Sequence, residues 1–191
     1  HLFLTGEEAG SLNQNRAFAF VPAEGSGYQL PAFEFGVVND KVNPPPSWET
    51  LVANPDTSDA TVVMVMSDGG TNQVYVYAGT KTDSGSPVEK AGLTNGKIFA
   101  LRIDGRAAED RDSGLGIGKS LAGKGAGVKF ALAEPNMGTS FLRPEDGAWD
   151  PRNRNVFYFV STDRNNFVAD GTVGPNQDVT QVGRSRLWAI T

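Results

Sequence analysis

The strongest constraint on the fold is an internal repeat. When Asp68 is laid on Asp150, the run Val74 to Thr80 falls on Val156 to Thr162, and Ile98 to Leu101 falls on Leu187 to Ile190. In each copy, short β-branched and aromatic runs are divided by turn residues, which reads as strand, turn, strand, loop, strand. Three consecutive antiparallel strands make a meander, and meanders repeated about an axis make a β-propeller with roughly 40 to 50 residues per blade. The pattern predicts an all-β chain, one domain over 1–191, with a partial blade at about 1–60 and blades at about 61–110 and 140–191. Propellers close with about four blades or more. The expectation is therefore part of a propeller, completed by further blades of its own chain or by another subunit.

The remaining stretches agree with short strands. His1 to Thr5 and Arg16 to Val21 read as a hairpin that starts mid-fold, joined by the Gly10–Asn15 loop. Pro22 to Asp59 reads as irregular, with Gly25-Ser26-Gly27, Pro44-Pro45-Pro46 and Asn54-Pro55-Asp56. Thr61 to Met66 is a continuous β-prone run that ends at the turn Asp68-Gly69-Gly70. Trp48, Trp149 and Trp188 are expected to pack between blades.

Several chemistries are excluded. With no cysteine and a single histidine at position 1, the chain has no thiolate nucleophile, no disulfide, no cysteine-type zinc site and no serine-type triad. Any metal would sit on oxygen ligands, which favours Ca²⁺ or Mg²⁺. A formal net charge of -5 argues against nucleic acid as a partner, and no apolar run approaches the roughly 18 to 20 residues of a transmembrane segment. Gly116-Ile117-Gly118-Lys119-Ser120 lacks the earlier glycine of a phosphate loop, since Ser113 stands there. Asp163-Arg164-Asn165 opens like a calcium loop but continues with Phe167 and Val168 where Asp or Asn and then Gly are required.

The repeat also serves as a control, because positions shared by both copies are scaffold. Asp68 and Asp150 are both placed at hairpins, where aspartate bonds its own backbone. Arg143 and Glu145 fall opposite Thr61 and Val63, so a strand there would project a cation and an anion from one face where its sister projects neither. Arg143-Pro144-Glu145-Asp146 is thus the segment that scaffold does not explain. Of Glu7 and Glu8, adjacent on a strand, only one can reach a shared site.

Leu4-Thr5-Gly6-Glu7-Glu8, the segment Val88 to Lys97, Phe141 to Gly147 and the ending Gly183 to Trp188 together resemble the PhoX-type alkaline phosphatases. The resemblance covers most of the chain. It implies a bacterial β-propeller phosphatase, periplasmic or extracellular, that hydrolyses phosphate monoesters at a channel cluster of calcium and iron. By that resemblance Arg143 would bind the phosphate-ester substrate and act with Glu145 in catalysis, and Glu7, Glu145 and Asp146 would be metal ligands. Gly6 stands where the family has an iron-binding cysteine, so calcium carries over more directly than iron. The alternative is a non-catalytic calcium-binding propeller, or an interaction or structural protein, that has lost the phosphatase site.

Overall fold

The computed structural model describes residues 1–8, 16–34, 46–56, 58–109, 128–135, 137–162 and 186–191. The two rejected binding loops, the Gly10–Asn15 loop and Gly183 to Ser185 lie outside the described residues. The chain is all-β, and its described residues form three antiparallel sheets, none of them closed. The first contains β1 (Phe3–Gly6), β2 (Ala17–Val21) and β3 (Ser26–Gln29). The second is a five-stranded meander of β4 (Thr50–Ala53), β5 (Ala60–Met66), β6 (Val74–Thr80), β7 (Lys97–Ile103) and β8 (Phe130–Ala133). The third contains β9 (Pro144–Trp149), β10 (Phe157–Ser161) and β11 (Arg186–Ile190), with β10 in the middle.

The central sheet is covered on both faces. Val63, Val65, Tyr75, Tyr77, Ile98 and Ala100 pack with Ala17 and Ala19 of the first sheet and with Leu30 and Phe33 just after it. Met64, Met66, Val74, Leu101 and Ile103 pack on the other side with Phe141, Phe157 and Phe159. A strand buried on both faces cannot alternate polar with apolar, and this explains the unbroken run in β5. Trp48 is fully buried against Tyr75, edge to face at 5.3 Å. Trp149 bridges the second and third sheets by donating from its indole nitrogen to the Val52 carbonyl at 3.2 Å. Trp188 stacks on Phe159 at 5.8 Å.

Three expectations need correction. The second meander begins at Thr50 and extends to Ala133, because β4 pairs with β5 through Leu51↔Val65 and β8 pairs with β7 through Leu101↔Leu132. The Pro22–Asp59 stretch therefore contributes strands β3 and β4, and proline punctuation concealed runs of only four residues. The repeat holds at the level of the meander but its register moves. Thr61 pairs with Gly79, whereas the equivalent Ser161 pairs with Pro144 after a bulge between Phe159 and Ser161, so Arg143 precedes the strand. Tyr75 pairs with Ala100 while Phe157 pairs with Ile190, a slip of one residue that exchanges the faces of the last strand.

The segment Val88 to Lys97 has a scaffold role. Ser86 caps the short helix α1 (Pro87–Lys90) in a capping box with Glu89. Val88 and Leu93 enter the core, and the buried Tyr77 hydroxyl donates to the Gly92 carbonyl at 2.9 Å while accepting from Gly96 N–H at 2.9 Å. No helix among the described residues is long and apolar enough to cross a membrane.

Candidate metal and anion site

All three sheets bring a strand end to one rim. Glu8 follows β1, which the Glu7 carbonyl ties to Trp48 N–H at 2.9 Å. Glu49 precedes β4, its N–H donating to the Met66 carbonyl at 3.0 Å, and Asp68 follows β5. One carboxylate oxygen from each of Glu8, Glu49 and Asp68 lies within 4.8 Å of the others. Oxygens bound to one calcium at about 2.4 Å stand at most about twice that distance apart, and the three carboxylates meet that limit. They are hard donors, as calcium or magnesium requires.

Arg143 enters from the third sheet. Its Nη2 donates to Asp68 Oδ2 at 3.1 Å and pairs with Glu145 Oε1 at 3.1 Å, with 42% of the side chain exposed. The Asp68 hydrogen bond, and then the charges of Glu145, Asp68 and Glu49, hold the guanidinium more firmly protonated than usual. Both contacts use Nη2, so Nη1 and Nε, which lie on different edges of the guanidinium, each keep a donor that can give an anion one hydrogen bond. Glu145 Oε1 also accepts from the Thr162 hydroxyl at 2.9 Å. Asp146 lies on the opposite side of β9 and accepts from the Thr50 hydroxyl at 3.0 Å.

The expected residues thus separate. Arg143 and Glu145 meet, although not through alternation along a strand, because Arg143 has φ 58 and stands outside β9. Glu7 is turned away from the rim. Its carboxylate accepts from the Arg16 backbone N–H at 3.1 Å and from the Arg16 guanidinium, which lies over the Phe18 ring. Its neighbour Glu8 is the glutamate whose carboxylate lies with those of Glu49 and Asp68. Asp150 is a turn residue, accepting from Arg152 and Asn153 N–H at 2.7 and 3.1 Å. Asp68, expected to do the same, pairs with Arg143 across the sheets, and Glu49 is an addition that no spacing in the sequence indicates.

Gly6 bears on the cysteine ligand that the resemblance implies. A Cβ at position 6 would lie 2.3 Å from the Trp48 Cβ, so the backbone leaves no space for a thiol side chain. With no cysteine in the chain and position 6 closed off, no thiolate ligand is available at the rim.

Burial, then repulsion from Glu8, Asp68, Glu145 and Asp146, pushes the Glu49 carboxyl up to about 7. In chelator, the unfolded chain loses this proton near pH 4.5 and the folded chain near 7. The Glu49 contribution therefore lowers stability as pH rises between those values and is constant above them. Glu49→Gln is expected to remove that loss, raising the Tm by a few degrees at pH 8 and changing it little at pH 4, measured by thermal unfolding in chelator.

No protein-family model, curated protein or solved structure matches the chain.

Proposed function

We propose that the three sheets are blades or parts of blades of a β-propeller, and that the rim they share binds calcium and a phosphate monoester. On this reading the complete assembly is a metal-dependent phosphomonoesterase of the PhoX type, exported from a bacterial cell. One observation carries the proposal. Arg143, half exposed, is held by carboxylates through Nη2 alone at the edge of a three-carboxylate convergence, so cation and anion sites adjoin.

Each side chain then has a task. Glu8, Glu49 and Asp68 would hold the cation. A bound calcium ion would supply neutralisation and polarisation of the phosphoryl oxygens. Asp68 and Glu145 orient Arg143, which would meet a phosphate oxygen with its fixed positive charge and one of the remaining Nη1 or Nε donors. Thr162 fixes Glu145 from behind. The full-length protein is expected to release phosphate from a generic aryl phosphate at alkaline pH in calcium and to stop in chelator. Absence of release in calcium across the alkaline range overturns the proposal.

A second reading rests on Gly6 and Glu7, the positions where the chain departs most from an iron-containing site. In it the rim binds calcium and holds sheets or a partner together without turnover. Calcium binding with no phosphate release under any of those conditions favours this second reading.

A further inference from the structure

We infer that Glu109, locked by Arg186, is the positioning residue that holds the Arg143 turn in its anion-facing conformation, a role that rests on the reading of Arg143 as the phosphate clamp. Arg143 needs such support. A residue with a Cβ is disfavoured at φ 58, and this conformation persists only where its surroundings impose it. The imposition is visible on both sides. Arg143 N–H donates to the Phe141 carbonyl at 3.0 Å, and the Arg143 carbonyl accepts from Thr162 N–H at 3.0 Å. The preceding amide, Leu142 N–H, donates to Glu109 Oε2 at 2.7 Å.

Glu109 is the one partner in this set that is a buried charge. Its side chain is 0% exposed, and its Oε1 accepts from the Arg186 guanidinium and from the Ser161 hydroxyl at 3.1 Å. Ser161 Oγ in turn accepts from the Trp188 indole at 3.1 Å. The Glu109 backbone is fixed as well, its N–H donating to the Ser140 carbonyl at 2.7 Å. A buried ion pair is weak evidence for stability and better evidence for specifying one geometry. Here the specified geometry ends on the amide next to Arg143. Glu109 touches neither the acidic rim nor the exposed face of Arg143, so its effect passes through the backbone.

The test compares the full-length wild type with two double variants, Glu109→Leu with Arg186→Met and Glu109→Gln with Arg186→Gln. Each removes both buried charges together, which avoids stranding one of them. Only the glutamine pair keeps an oxygen that can accept from Leu142 N–H. Binding of inorganic phosphate in calcium is followed by calorimetry, and the Arg143 Nε–H resonance by NMR without ligand. The leucine–methionine variant is expected to bind phosphate about tenfold more weakly or worse, with the Arg143 resonance moved to that of a free arginine, while the glutamine variant stays near wild type. Equal behaviour of the two folded variants overturns the inference, since a merely structural ion pair would treat them alike. Leu142 N–H in the wild type is also expected to exchange with solvent at least about tenfold more slowly than Asp146 N–H, and fast exchange at Leu142 overturns the inference without any variant. If the wild type binds no phosphate, the clamp reading fails by itself, and the Arg143 resonance and Leu142 exchange still decide the role of Glu109.

Discussion

Arg143→Ala is expected to lower kcat/KM for an aryl phosphate by about 10² to 10³, the loss that follows removal of one preorganised charge-stabilising donor set. The fold should survive, because the side chain is 42% exposed and its ion pairs are solvent-screened. Asp68 and Glu145 would lose their shared counter-ion, so calcium binding is expected to hold or strengthen while phosphate binding disappears. Arg143→Lys tests geometry separately from charge, since an ammonium keeps the charge and loses the fixed planar placement of the donors. It is expected to recover a minor part of the lost rate. Steady-state kinetics alongside thermal unfolding check both variants, and wild-type kinetics in Arg143→Ala would contradict the assigned role.

Gly6→Cys is expected to destabilise the protein by about 3 kcal/mol, at the upper end of overpacking costs. That corresponds to a Tm lower by roughly 6 to 12 °C for a chain of this size. The cause is local. The new Cβ meets the Trp48 Cβ at 2.3 Å, near the backbone rather than at the far end of a flexible chain. Trp48 cannot retreat easily, because it is fully buried against Tyr75 and its N–H is bonded to the Glu7 carbonyl. Restoring the cysteine would therefore not restore an iron centre, and added iron should give no thiolate absorption. An unchanged Tm in Gly6→Cys would show that the backbone near Trp48 yields more readily than its packing implies.

The parts of the fold legible in the sequence are those governed by local pattern. β6, β7 and β10 are runs of branched and aromatic residues, and their order repeats, so the two meanders can be read directly. Register is not local. The bulge between Phe159 and Ser161 and the slip at β11 depend on how distant strands meet, and a one-residue slip changes no composition.

The site divides in the same way. Arg143 and Glu145 stand out because scaffold has no use for them. Glu8, Glu49 and Asp68 approach one another only after three strand ends from two sheets converge, and Glu49 is hidden between the buried Trp48 and a four-residue strand. Glu7 and Glu8 differ by one position, and the choice between them is made by Arg16, which captures Glu7. Glu109 carries no motif at all. Its importance comes from complete burial beside Arg186, a residue 77 positions away.

Calcium titration calorimetry on the full-length protein tests most directly whether the three strand ends form one cation site. The prediction is a single calcium per chain, lost in Glu8→Gln, Glu49→Gln and Asp68→Asn and retained in Glu7→Gln, with every variant folded. Absence of calcium binding in the wild type, or its loss in Glu7→Gln with retention in Glu8→Gln, would contradict the site.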